Sequence, residues 1–136
     1  MRRKLKRVFS LLTAIATLLL ITSVASAQED TTPKKRLRSP ALVRGFVGGE
    51  SHDSYVIRLR RGGVVSVQIS WRPEADNSAS FTVSESPNFF SGEQVDFGKE
   101  YDGGKRWVGK IPKTRDYYIY VVAHPSAHYT LKVRVK

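Results

Sequence analysis

The sequence contains no cysteine. Disulfide bonds and a lipid-modified cysteine are therefore excluded, and apolar packing must stabilise the fold. Phosphate-binding loops and the HExxH and GxSxG motifs are absent, and no window of useful length shows helical periodicity. The missing motifs give no indication of catalysis, and the missing helical periodicity favours β-structure.

The N-terminus has the three parts of a secretory signal peptide. Basic residues at positions 2–7 precede an apolar run over 8–21, which is shorter than the roughly 20 residues that a membrane span needs. Ala25, Ser26 and Ala27 then provide a small-residue cleavage signal. We predict a signal peptide over 1–27 and an exported protein, periplasmic or extracellular.

Composition divides the remaining chain into a leader and one domain. Residues 28–40, QEDTTPKKRLRSP, contain two prolines and one large apolar residue, Leu37, which predicts a flexible basic leader. Residues 41–136 have the size of a single domain. Of the formal net charge of +11, five positive charges lie in the signal peptide. Residues 74–102 hold seven acidic residues and one lysine, so an acidic segment is set into a basic body.

Apolar residues alternate with polar ones along much of residues 55–135. This period of two is typical of strands with one buried and one solvated face. It is clearest over 55–60, 65–71 and 129–135, and weaker strands are predicted at 41–47, 79–84 and 105–111. The segment 116–124 is apolar on both faces, which indicates a central strand.

Turn residues separate these strands. Gly62 and Gly63 lie between two of the clearest strands and favour a tight hairpin turn, and HPSAH separates the last two strands. The pattern predicts an all-β fold, namely a single antiparallel β-sandwich of jelly-roll type with about seven to eight strands.

Two segments resemble bacterial pre-peptidase C-terminal domains, which are β-sandwiches appended to secreted peptidases. The segment GFVGGESHDSYVIRLRRGGVVSVQI matches their opening at Gly48, Asp53, Tyr55, Gly62 or Gly63, and Val65 with Val67. The segment KTRDYYIYVVAHPSAHYTLKVRVK is similar to their closing hairpin, with Asp116 where the family usually has glycine. The resemblance implies the sandwich fold and does not fix a function.

The stretch ESHDS, residues 50–54, carries the residue types of a hydrolase. Adjacent residues on an extended chain point to opposite sides, whereas catalytic triads assemble from separate parts of a fold. We therefore interpret the stretch as a strand start, in which Asp53 accepts backbone N–H bonds at the turn and Tyr55 begins the buried face.

The sequence suggests two conceivable metal sites, and neither is predicted. His124 and His128 flank a short connection and would face each other across a hairpin, but no nearby acid completes a ligand set. A small metal-dependent hydrolase using both histidines remains an alternative from the enzyme class. A Ca²⁺ site from Glu50, Asp53 or Asp102 lacks EF-hand spacing. No cofactor is expected.

The long loop over residues 86–104 is the first candidate binding site. It contains Phe89, Phe90, Phe97 and Tyr101 among acidic residues and glycines. Loops of this length either bind partners or pack their own aromatic residues into a satellite core, and both alternatives stay open.

The second candidate is a basic face. Arg58 and Arg60 on one strand and Lys132 and Arg134 on the last strand are predicted to point outward. Export disfavours nucleic acid, so a polyanion of the cell envelope is the expected ligand. An ordinary charged sheet face that protects an edge strand is the alternative.

A signal peptide followed by a single β-sandwich domain also resembles the periplasmic inhibitors of g-type lysozyme. We predict a non-catalytic binding domain of the pre-peptidase C-terminal type that recognises a protein or an anionic envelope polymer. Inhibition of g-type lysozyme is the alternative, because an acidic aromatic loop suits a basic enzyme. The short connection AHPSAH departs from the longer polar loop expected of those inhibitors. The oligomeric state stays open.

Overall fold

A computed structural model describes residues 26–136. All but the last two residues of the predicted signal peptide lie outside the described residues. Within them, no helix is long and apolar enough to cross a membrane. The described residues form nine strands: β1 (Lys34–Leu37), β2 (Ala41–Gly48), β3 (Asp53–Leu59), β4 (Val64–Trp71), β5 (Ser78–Ser84), β6 (Gly98–Tyr101), β7 (Arg106–Lys110), β8 (Arg115–His124) and β9 (Ser126–Val135).

The strands form a sandwich of two sheets. The four-stranded sheet has the order β1-β3-β8-β5, and the five-stranded sheet has the order β2-β9-β4-β7-β6. Neighbouring strands are antiparallel except β1 and β3, which are parallel. The predicted all-β sandwich is confirmed. It has nine strands rather than seven or eight because the four-residue strands β1 and β6 are too short to show alternation.

Alternation along each strand builds the core. In β4, Val65, Val67 and Ile69 are buried, whereas Ser66 and Gln68 point away from the core. The predicted inward faces of β3 and β9 are buried in the same way. Strand β8 lies between β3 and β5, as its apolar composition on both faces predicted.

Two connections differ from the sequence-based expectation. The turn at Gly62 and Gly63 was predicted to close a hairpin, but β3 and β4 belong to different sheets. Gly62 has a positive φ of 88°, and its N–H donates to the carbonyl of Ile111. The connection through Pro125 likewise passes from β8 in one sheet to β9 in the other. Both turns therefore join the two layers of the sandwich.

Two tyrosines connect the sheets inside the core. Tyr55 of β3 and Tyr129 of β9 meet hydroxyl to hydroxyl at 2.5 Å, and the Tyr129 hydroxyl donates to the Asp53 carboxylate at 2.5 Å. Burial raises the pKa of both phenols. Gly45 lies beside this pair, where a Cβ would come within 2.6 Å of the Tyr129 hydroxyl. Asp53 thus accepts from a tyrosine of the other sheet, and not from the turn backbone as we expected.

The segment 28–40 is not the flexible leader that its composition predicted. Strand β1 pairs with β3, and Leu37 is buried in the core. Farther upstream, the side chain of Asp30 is only 1% exposed and accepts from the backbone N–H groups of Thr32 and Phe89 at 3.0 and 3.2 Å. Its carboxylate also lies 3.2 Å from Nε2 of His52. These long-range contacts fix the segment to the domain.

The environment of Asp30 lowers its pKa. Burial alone would raise the pKa of this carboxyl, but the N–H groups of Thr32 and Phe89, together with His52, hold it below its usual value of 3.8. A carboxyl whose pKa is lower in the folded protein stabilises the fold above its unfolded pKa, and this contribution is lost as the pH falls through the folded pKa.

We expect Asp30→Asn to lower the free energy of unfolding at neutral pH by about 1–3 kcal/mol, because a buried acceptor loses its charge-assisted hydrogen bonds. Urea denaturation would measure this loss. The difference from the parent protein should shrink as the pH falls below 3.8. The exposed neighbour Glu29 supplies the control Glu29→Gln, and an equal loss in both variants would contradict the assignment.

Candidate functional site

The outer face of the five-stranded sheet carries a groove with basic walls. Its cavity is about 410 Å³ and lies over β9, β4 and β7. We call it the basic groove; its lining residues are Val64, Ser66, Gln68, Arg106, Val108, Lys132, Arg134 and Lys136. Strand register explains the arrangement, since Gln68 of β4 lies between Lys132 of β9 and Arg106 of β7. Cationic side chains therefore flank a mixed floor of Ser66, Gln68, Val64 and Val108.

The electrostatics of the basic groove favour anions. Four of its eight lining residues are cationic and none is acidic. Arg106 lies 3.6 Å from the exposed carboxylate of Asp102 and stacks over the ring of Tyr101 at 4.6 Å. Lys132 and Arg134 lie on β9 and Lys136 directly follows it, so like charges at neighbouring outward positions raise the local positive potential.

The predicted basic face is divided between the two sides of the sandwich. Lys132 and Arg134 line the basic groove, but Arg58 belongs to the four-stranded sheet, and Arg60 directly follows that strand. Arg58 also lies 3.7 Å from Asp116, which is shared with a second arginine. Side chains on the outer faces of opposite sheets point apart, so these four residues do not form one surface.

The loop over residues 86–104 also separates its aromatic residues. Phe97 packs against Trp107 and Tyr117 with ring centroids 5.7 and 5.8 Å apart, so it belongs to the core. Tyr101 lies on β6 beside Arg106, next to the basic groove. Part of the loop covers the edge of β5, where Gln94 and Val95 bond the backbone of Val83. Phe97 is therefore partly buried against the main core and does not form a separate satellite core.

Phe89 and Phe90 form a short 3₁₀ turn at the end of the four-stranded sheet. The Phe89 ring stacks on His52 with a centroid distance of 3.8 Å, whereas Phe90 is 50% exposed. A cavity of about 460 Å³ lies beside this turn, and its acidic lining residues are Glu85, Glu93 and Asp96. The cavity is predominantly acidic, with Glu85 paired to Arg115 at 3.1 Å, and Phe90 is the exposed aromatic residue of the adjacent turn.

The residues of the ESHDS stretch serve the fold. The Ser51 hydroxyl donates to the carbonyl of Gly48 at 2.5 Å, and Ser54 is buried with no hydrogen-bond partner for its hydroxyl among the described residues. His52 stacks on Phe89 beside Asp30. These contacts agree with a strand start.

The two metal hypotheses find no geometric support. His124 and His128 were expected to face each other across a hairpin, but they lie on different sheets, paired in register with Ser78 and Phe46 respectively. Residues 26–136 contain no group of three His, Cys, Asp or Glu side chains placed to hold a metal ion. The hydrolase alternative therefore loses the arrangement on which it depended.

Sequence reasoning missed five of the eight lining residues of the basic groove: Val64, Ser66, Gln68, Arg106 and Val108. Ser66 and Gln68 were assigned to the solvated face of their strand without a role, and Arg106 was placed in a weak strand only. The signal that would have found them is their outward parity combined with the pairing of β4 between β7 and β9. Local alternation gives the parity and does not give the pairing.

The fold belongs to a class of β-sandwich found in pre-peptidase C-terminal domains and in periplasmic lysozyme inhibitors. The structure is similar to PliG of Aeromonas hydrophila, a periplasmic inhibitor of g-type lysozyme, with a TM-score of 0.60 and 18% identity over 76% of this chain and 96% of that one. PliG of Salmonella Typhimurium, also a periplasmic inhibitor of g-type lysozyme, is similar with a TM-score of 0.53 and 20% identity over 76% of this chain and 98% of that one.

The pre-peptidase C-terminal domain of Bacillus anthracis collagenase gives a TM-score of 0.55 with 15% identity over 79% of this chain and 100% of that one. Both resemblances stated from the sequence are therefore confirmed at the level of fold. No family model matches the sequence, and no curated protein is significantly similar to it.

We expect Phe97→Ala to lower the free energy of unfolding by about 2 kcal/mol, because it leaves a cavity between Trp107 and Tyr117. Phe90→Ala is the matched control from the same loop and should change stability by less than about 0.5 kcal/mol, since its ring is half exposed. Thermal and urea denaturation would measure both. Equal losses would place the two rings in equivalent environments and contradict the division of the loop.

Proposed function

We propose that this chain is an exported, non-catalytic binding domain that recognises an anionic polymer of the cell envelope through the basic groove. The observation that carries the proposal is the groove itself, with four cationic side chains and no acidic one in its lining. Export is taken from the signal-peptide pattern over residues 1–27.

The position of the groove supports this proposal. Lys132 and Arg134 lie on β9, which pairs on both sides with β2 and β4, so their backbone is fixed within the five-stranded sheet. Their inward neighbours Leu131 and Val133 are fully buried. The cations therefore project from a rigid surface, which limits the ordering entropy that binding costs.

Long-range electrostatic attraction also supports the proposed binding of an anionic polymer. The exposed positive charges of the groove attract a polyanion over about 8–10 Å at moderate salt, and added salt weakens this attraction. A polymer with repeated negative charges gains from each cation of the groove, whereas a single small anion contacts few of them. The surface is thus suited to many weak contacts.

The double variant Lys132→Gln with Arg134→Gln tests this function. We expect about tenfold weaker binding to an immobilised acidic polysaccharide, because two exposed ion pairs are lost, and a salt dependence reduced by about two charges. Elution from a heparin column and titration calorimetry at two salt concentrations would measure these effects.

The matched control is Arg58→Gln with Arg60→Gln, which removes the same charge from the other side of the sandwich. This control should retain nearly all of the binding. Equal weakening by both double variants would show that net charge alone governs retention, and absence of binding by the parent protein would reject the proposed function.

Inhibition of a g-type lysozyme is the second candidate function. It is favoured by the fold likeness to two periplasmic inhibitors of that enzyme, which extends over 96% and 98% of the inhibitor chains. The surface that suits a basic enzyme is the acidic cavity of Glu85, Glu93 and Asp96, with Phe90 as an exposed aromatic anchor.

In this second candidate, the purified protein should reduce the rate at which g-type lysozyme clears a cell-wall suspension. Phe90→Ala should weaken inhibition by about tenfold or more if the ring is an anchor. Phe46→Ala is the control, since that ring is also exposed but lies on the five-stranded sheet. Unchanged lysis at micromolar protein would exclude this function and leave the basic groove as the working surface.

A further inference from the structure

A second depression continues the basic groove along the same sheet face. Its volume is about 480 Å³, and its lining residues are Arg44, Gly45, Ser70, Trp71, Arg72, His128, Tyr129 and Thr130. Arg44 and His128 are outward residues of β2 and β9 and are exposed, and Arg72 is paired with Glu74 at 3.5 Å. The second depression therefore adds cationic groups at the opposite end of the strands.

Strand register shows that the two depressions adjoin. Lys132 of the basic groove is paired with Gln68 of β4, and the next outward residue of β9, Thr130, is paired with Ser70. Thr130 is also paired with Arg44 of β2. Side chains alternate between the two faces of a strand, so the pair Thr130 and Ser70 is the next outward pair after Lys132 and Gln68. The two depressions are therefore neighbours on the outer face.

We infer that the two depressions form one continuous track along β9 and β4, and that its ligand is an extended acidic glycan that contacts both ends. The inference rests on the proposed function of the basic groove. The track reaches from Lys136 to His128, eight residues apart, which is about 27 Å at the rise of an extended strand. A compact anion occupies only one of the two depressions.

The floor of the track favours a glycan. Beside the apolar residues Val64 and Val108, four polar residues provide hydroxyl and amide groups between the cationic walls: Ser66, Gln68, Ser70 and Thr130. Such groups exchange hydrogen bonds with sugar hydroxyls, which act as both donors and acceptors. The charges of the walls and the hydroxyls of the floor therefore match an acidic sugar polymer on two counts.

Cations cover the rings of Trp71 in the track and Tyr101 beside it, which disfavours single-stranded nucleic acid. Binding of single strands relies on free aromatic faces on which bases stack. The ring of Trp71 is covered by the Lys105 ammonium at 4.9 Å, and that of Tyr101 by the Arg106 guanidinium at 4.6 Å. These cations cover one face of each ring and add charge beside the track. Phe46, 58% exposed and stacked on His128 with centroids 4.6 Å apart, leaves an aromatic face at the His128 end, so the comparison with a single-stranded oligonucleotide is part of the test.

A chain-length series tests the inference. Size-defined heparin oligosaccharides and oligogalacturonates, from disaccharide to dodecasaccharide, would be titrated into the purified protein by calorimetry. We expect affinity to rise by about tenfold or more with length and to level off once the chain spans about 27 Å. Neutral dextran and oligothymidylate of matched length are the comparison ligands and should bind more weakly.

Variants at the two ends sharpen the test. Arg134 lies toward one end of the track and Arg44 toward the other. Arg134→Gln and Arg44→Gln should each weaken binding of the longest acidic oligosaccharide by about two- to fivefold, which is the effect of one exposed ion pair. Arg44→Gln should leave the shortest oligosaccharide unaffected if that ligand occupies the more basic end. Arg58→Gln, on the other sheet, is the matched control.

The outcomes separate the two proposals. Length-independent affinity, with sensitivity to Arg134→Gln and none to Arg44→Gln, would overturn the continuous track and leave anion binding in the basic groove intact. Tighter binding of oligothymidylate than of acidic oligosaccharides would overturn the glycan assignment. If no acidic ligand binds, the proposed function itself fails.

Discussion

Burial of alternate side chains between the two sheets is the constraint on which the rest of the structure depends. Without disulfides, stability comes from inward residues such as Val67 and Leu131, both at most 1% exposed. A one-residue shift of either strand would place these side chains in water, so the register is fixed. Fixed register in turn determines which residues face outward, and the cationic row of β9 is held in place by the core behind it.

Features that depend on local periodicity, namely strands and their buried faces, could be predicted from the sequence. Alternation identified the strands that became β3, β4 and β9 and their buried faces, and an apolar run on both faces identified β8, which together gave the all-β sandwich. It did not identify sheet partners, because a period of two is the same for strands in either layer. For this reason Arg58 and Lys132 were grouped on one face, although they lie on opposite sides of the sandwich, and Arg106 was not recognised as a wall of the groove.

Contacts between distant segments account for the other differences. A leader with one large apolar residue has the composition of a flexible segment, yet Leu37 enters the core and Asp30 accepts hydrogen bonds from residues far along the chain. Phe97 and Phe90 are seven residues apart in a loop of uniform composition, but one faces the core and the other faces solvent. Composition describes such segments on average, and only tertiary contacts assign each residue its place.

The buried tyrosines have a consequence for the working range of the domain. Burial raises the pKa of Tyr55, Tyr117, Tyr120 and Tyr129, so each phenol stays neutral in the folded protein when it would already ionise in an unfolded chain. Their full stabilising contribution is present below the unfolded phenol pKa of 10.0 and declines as the pH rises above it. Ionisation of the buried phenols, two of which join the sheets through their hydroxyls, therefore sets an alkaline limit on the folded state.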